Sequence, residues 1–174
     1  MTYRIFLLVL AVAALASSLA ARPFDAWQRF VSEDKSFAVQ LPAEPKHSTQ
    51  TTEKPDGKAV TEIYLLKYQD IVYVAGITEY SIDVDPKGEL DLDRDNFLKA
   101  VDAKLTSESD VTFSGHQGRD FMGSSETYDF VSRLAMVGKR RVYQVTVAVP
   151  KSGDHTVVRK CIDSFEILRA GGTN

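Results

Sequence analysis

Arg140-Arg141-Val142-Tyr143-Gln144-Val145-Thr146-Val147-Ala148-Val149-Pro150 is the most regular stretch of the chain. Tyr143, Val145, Val147 and Val149 share one face, and Val142, Gln144, Thr146 and Ala148 the other. A period of two in β-branched and aromatic residues is what a pleated, largely buried strand requires. Pro150 has no N–H to give a ladder, so pairing ends there. Upstream, a run over 127–137 carries Tyr128, Phe130, Leu134 and Met136 on one face. Val137-Gly138-Lys139 supplies a tight turn between the two runs, which together make a long antiparallel hairpin.

Working outward, 59–68 and 71–80 form a second hairpin about a Gln69-Asp70 turn. Ile71-Val72-Tyr73-Val74-Ala75 is apolar on both faces, a pattern that calls for cover from both sides and so for helices on each face of the sheet. Nearer the start, Trp27 to Ser32 and Ser36 to Leu41 flank the polar turn Glu33-Asp34-Lys35, with Phe37, Val39 and Leu41 pointing one way. The polar segment over 46–58 reads as an exposed edge or a mobile loop, and His47 within it as a solvated histidine. Short strands over 107–114 and 118–122 are joined by Gly115-His116-Gln117-Gly118, whose glycines supply positive φ for a turn.

Two helices are expected. The first spans 93–105, with Phe97, Leu98, Val101 and Leu105 on one face and Asp91, Asp93 and Asp95 meeting the positive end of its dipole. The second spans 154–163, and Val158, Cys161, Ile162 and Phe165 follow the spacing of an amphipathic face. Asp83-Val84-Asp85-Pro86-Lys87-Gly88 superficially resembles a calcium loop. Lys87 and Arg94 stand where that loop needs oxygen ligands, so no metal is expected.

Arg4, the apolar run from Ile5 to Ala16 and the small residues of Ser18-Leu19-Ala20 have the order of a secretory signal peptide. Residues 1–20 are therefore set apart, with cleavage after about Ala20, and 21–174 is expected to be one periplasmic or secreted domain. The apolar run is shorter than the roughly 20 residues a membrane-spanning helix needs. Without Arg4, 20 basic side chains stand against 24 acidic ones, a net charge of about −4. That argues against a nucleic-acid partner, which would select a basic excess. The one cysteine, Cys161, excludes an intrachain disulfide and reads as a small buried hydrophobe.

No G-x-S-x-G, H-E-x-x-H, phosphate-binding glycine loop or C-x-x-C occurs, and His47, His116 and His155 lack metal-ligand spacing. No cofactor is expected. The single basic cluster is Lys139, Arg140 and Arg141 at the hairpin tip, with Arg133 further down. It reads first as a solvated edge guarded by charge, and second as contacts for an acidic partner or anionic lipid headgroups. His116 at its turn, or Ser124, could serve a hydrolase with a cleft there, although neither has a local activating group.

The order of apolar positions resembles that of PsbP-like domains. The residues that carry it are Trp27-x-x-Phe30, Ser36-Phe37-x-Val39-x-Leu41-Pro42-x-x-Pro45, Gly115-x-x-Gly118-Arg119-x-Phe121, the hairpin through Gly138 and Arg141-Val142-Tyr143-Gln144, and Ser164-Phe165. That superfamily includes the extrinsic photosystem II protein, a Ran-binding nuclear protein and small exported bacterial domains. The resemblance implies an α+β fold, an α/β/α sandwich with a central, mainly antiparallel sheet covered by helices on both faces. It also implies a non-enzymatic accessory or binding module, expected as a monomer with an unknown protein or envelope partner. Lys139, Arg140, Arg141, Arg133 and His116 are its candidate contact residues, chosen from the basic tip and the glycine turn rather than from the resemblance.

Overall fold

The computed structural model describes residues 27–54 and 56–168. The signal-peptide stretch over 1–20 and the tail from Gly171 to Asn174 lie outside the described residues. In chain order the elements are β1 (Gln28–Val31), β2 (Phe37–Leu41), β3 (Lys46–Lys54), β4 (Gly57–Tyr68), β5 (Ile71–Tyr80) and α1 (Pro86–Ala100). There follow β6 (Lys104–Phe113), β7 (His116–Ser124), β8 (Tyr128–Val137), β9 (Arg141–Pro150), α2 (Thr156–Ile162) and β10 (Glu166–Ile167).

Seven strands form an antiparallel sheet in the order β3-β4-β5-β9-β8-β7-β6, and β1-β2-β10 form a second, three-stranded one. Hairpin steps build the large sheet, and α1 carries the chain from β5 to the far edge. The turns have local causes. Gln69 and Asp70 adopt φ of 48° and 65°, and Ser114 and Gly115 adopt 50° and 80°. Two-residue loops with both centres left-handed match the twist of the strands they join. The β6–β7 turn thus falls at Ser114-Gly115 rather than across Gly115 to Gly118. Gly118 instead sits inside β7, where a Cβ would come 2.5 Å from the Leu134 carbonyl oxygen of β8.

The main core lies between the two sheets. Tyr143, Val145, Val147 and Val149 of β9 join Tyr64, Tyr73, Ala75 and Ile77 on one face of the large sheet, all buried. Phe37, Val39 and Leu41 of β2 and the buried side of α2 close over them. A second core lies on the opposite face, where Leu90 and Leu98 of α1 meet Phe121, Leu134, Met136 and Val142.

This arrangement corrects the expected α/β/α sandwich. The described residues are mostly β, 57% strand and 16% helix, in two antiparallel sheets. One face of the large sheet is covered by another sheet together with the seven-residue α2. On the other face α1 packs mainly on β6, β7 and β8. Ile71, Tyr73 and Ala75 are buried as expected, while Val72 and Val74 on the reverse side are only half-buried. Among the described residues no helix packs over those two. Flanking side chains of a wide sheet shelter part of such a face, so a doubly apolar strand does not require a second helical layer.

The first helix is displaced from its expected span for an equally physical reason. Asp85 accepts the Gly88 N–H at 2.9 Å and Pro86 occupies the first helical position, so the calcium-like stretch is a helix start. Asp91 and Asp95 then fall within the helix. Asp91 contacts Arg119 of β7 and lies 3.4 Å from Arg94, and Asp95 accepts from Arg94 at 2.8 Å. Arg119 is buried and also holds Asp110 of β6 at 2.8 Å. A guanidinium removed from water demands anions, and these acids bolt α1 to the β6–β7 edge. Leu105, expected on the helix, is an exposed residue of β6.

Candidate functional site

The predicted contact residues do not form one cationic patch. Arg140 donates to Asp83 at 2.7 Å and Arg141 to Glu79 at 3.0 Å. The Arg140 guanidinium holds the Asp83 carboxyl below the usual carboxylate range. Arg133 grips Asp120 through two bonds of 2.8 Å and lies 5.1 Å over the Phe113 ring. Lys139 is exposed, and its carbonyl accepts the Val84 N–H at 2.9 Å. His116 begins β7 at the same end of the sheet and has no ion-pair partner among the described residues.

Ser124 proves to have neighbours that sequence spacing hides. Its hydroxyl donates to Asp129 at 2.7 Å, and the Lys151 ammonium contacts both residues, 2.9 Å from the carboxylate. Lys151 and then Ser124 hold the Asp129 carboxyl low. A lysine acting as base for a serine needs a free lone pair in a desolvated site. Here the ammonium is paired to a carboxylate on open surface, so the cluster latches the β7–β8 turn to the end of β9. Cys161 is fully buried, and burial pushes its thiol up to about 12.

A groove of about 390 Å³ lies where β4 and β5 run beyond the reach of the small sheet. Val60 and Ile77 contribute its apolar part, the carboxylates of Asp34, Glu62 and Glu79 line it, and Lys58 and Arg140 add positive charge. Strand alternation explains the mixture, because Val60 pairs with Glu79 and Glu62 with Ile77. Asp34 is fixed at the β1–β2 turn. Burial alone would raise its carboxyl, yet the Ser32 and Ser36 hydroxyls and the Ser36 N–H hold it below the usual range.

Beside the groove stands His47, exposed as expected, but on the edge strand β3 and engaged by its neighbours. Its ring stacks on Tyr64 at 4.5 Å and 8°. Nδ1 is 3.0 Å from Glu33 Oε1 and Nε2 is 3.7 Å from Glu62 Oε2. The Tyr64 hydroxyl accepts the Glu33 N–H at 3.1 Å and points toward Glu62 at 3.4 Å. No group of three or more acidic, His or Cys side chains suited to a metal occurs among the described residues. Nor is any described helix long and apolar enough to cross a membrane.

No family model and no curated protein matches the chain. A crystal structure of a protein from Bacteroides thetaiotaomicron is similar, at 15% identity and a TM-score of 0.41 over 84% of this chain. The chain spans about half of that protein, 50% of its length.

Proposed function

We propose that the protein is an exported, non-enzymatic binding module that takes a small zwitterion or peptide segment in the groove over the ends of β4 and β5. The observation that carries this reading is the groove itself, whose volume lies in the range of small-ligand sites. It offers apolar surface at Val60 and Ile77 with both signs of charge around it. Lys58 and Arg140 suit a carboxylate, and Glu62 suits an ammonium or guanidinium. A site with both signs discriminates against ligands of single charge, because each wrong end meets a like charge. Export rests on the signal-like order of residues 1–20, and kinship with PsbP-like domains on the apolar positions from Trp27 to Phe165.

Calorimetric titration with a panel of tetrapeptides of zwitterionic, all-cationic and all-anionic character tests the proposal. Zwitterionic members should bind, and Lys58→Glu should weaken them at least five-fold while the melting temperature stays unchanged. No binding by any class, or binding indifferent to Lys58→Glu and Glu62→Gln, would remove the groove as the site.

A further inference from the structure

The groove and the His47 cluster share a wall. Glu62 lines the groove and is also the carboxylate facing His47 Nε2. Glu33, on the other ring nitrogen, immediately precedes Asp34, which lines the groove from the β1–β2 turn. From these contacts we infer that His47 is a proton-operated latch: its protonation ties the β1–β2 turn to β4 and draws Glu62 out of the groove. The inference concerns regulation of the groove and rests on that groove being the binding site.

The stoichiometry of N–H groups sets the logic. Neutral imidazole has one donor, enough for the Glu33 contact at 3.0 Å and none for Glu62. Imidazolium donates from both nitrogens, so Glu62, now 3.7 Å away and at ion-pair rather than hydrogen-bond distance, gains a reason to close. The stacked Tyr64 ring adds preference for the cation through its electron-rich face. The titratable groups around His47 are Glu33 and Asp34 on the turn and Glu62 and Tyr64 on β4. Burial pushes the Tyr64 hydroxyl up, so it stays protonated and the negative partners are carboxylates alone. Acidification protonates an imidazole before it neutralises carboxylates. With the second N–H in place the latch closes, Glu62 leaves the groove, and a cationic ligand end loses its partner.

Hydrogen exchange of the free protein at pH 5.5 and 7.5, corrected for intrinsic rates, tests the latch without any ligand. The Glu33 and Ser36 amides report the turn, since they donate to Tyr64 and to Ser32 and Asp34 respectively. Their protection should be about three-fold greater at the lower pH, the size expected of partly exposed ion pairs. His47→Gln should abolish that difference, and His116→Gln should leave it intact. Equal protection at the two pH values in the unsubstituted protein, or a difference that survives His47→Gln, would overturn the latch. Because the peptide titration is separate, a failed latch leaves the groove reading standing. Absence of peptide binding with a working latch would remove only the groove.

Discussion

Phe37→Ala is the perturbation that bears most on the two-sheet core. Phe37 is fully buried at the start of β2, the central strand of the small sheet. Its ring lies 5.6 Å from Tyr64, 5.7 Å from Phe165, 6.3 Å from Tyr143 and 6.4 Å from Phe30, tilted or edge-on to each. Truncation removes the transfer free energy of the ring and leaves a cavity that two sheets cannot close, a combination that costs about 3–5 kcal/mol. Loss of favourable aromatic geometry places this site in the upper half, about 4 kcal/mol. For a domain of this size that is a fall of about 8 to 16 °C in melting temperature. Urea unfolding followed by near-ultraviolet circular dichroism should give a lower midpoint with an unchanged slope. The exposed Leu92→Ala on α1 is the control and should shift stability by less than about 0.5 kcal/mol. A Phe37→Ala protein melting within 2 °C of the parent would refute the claim that the small sheet seals the core.

Further outcomes follow from other parts of the structure. Arg119→Met should cost about 2–3 kcal/mol in urea unfolding, because Asp91 and Asp110 lose their buried partner while retaining some solvent. Cys161 should react slowly with a thiol reagent in the native protein and at the rate of a free thiol in denaturant, since burial disfavours its thiolate. Asp34 has a carboxyl depressed on folding, so its contribution is present above the unfolded-state value near 3.9 and disappears as pH falls through the lower folded value. The stability gap between the parent and Asp34→Ala should therefore shrink below about pH 4 in melting curves. If residues 1–20 act as the signal peptide their order suggests, intact mass of the exported protein should correspond to a chain beginning at Ala21.

What could be read from the sequence was the part governed by local periodicity. β9 declares itself through Tyr143, Val145, Val147 and Val149, all buried, and Tyr128 pairs with Pro150 at the last rung of its ladder. The Gln69-Asp70 turn and the face of Phe37, Val39 and Leu41 were equally legible. Layering was not, because Val72 and Val74 are apolar whether a helix or only neighbouring side chains shelter them. The acids near α1 misled for a related reason. Their charge suits a helix start, yet the partner that fixes Asp91 is Arg119, 28 residues away. Cover by a second sheet likewise depends on contacts between distant segments, as in the bond from Glu33 to Tyr64 across 31 residues.

The candidate site lay further out of reach. Glu33, His47 and Glu62 come from a turn and two strands, and no motif links them. Alternation through Lys58, Val60, Glu62 and Tyr64 was the one signal available. It marks one strand face on which charged and apolar residues mix toward the end that the small sheet leaves open. The predicted basic tip illustrates the converse. Arg140 and Arg141 are adjacent in sequence, but Asp83 and Glu79 pair with them individually. A charge cluster in one dimension is thus divided among separate ion pairs in three.

The most direct test of the groove as the binding site is an amide chemical-shift map recorded during titration with a zwitterionic tetrapeptide. Saturable shifts centred on Asp34, Lys58, Glu62, Glu79 and Arg140 are expected. Shifts centred instead on Ser124, Asp129 and Lys151, or on no contiguous surface, would contradict the account.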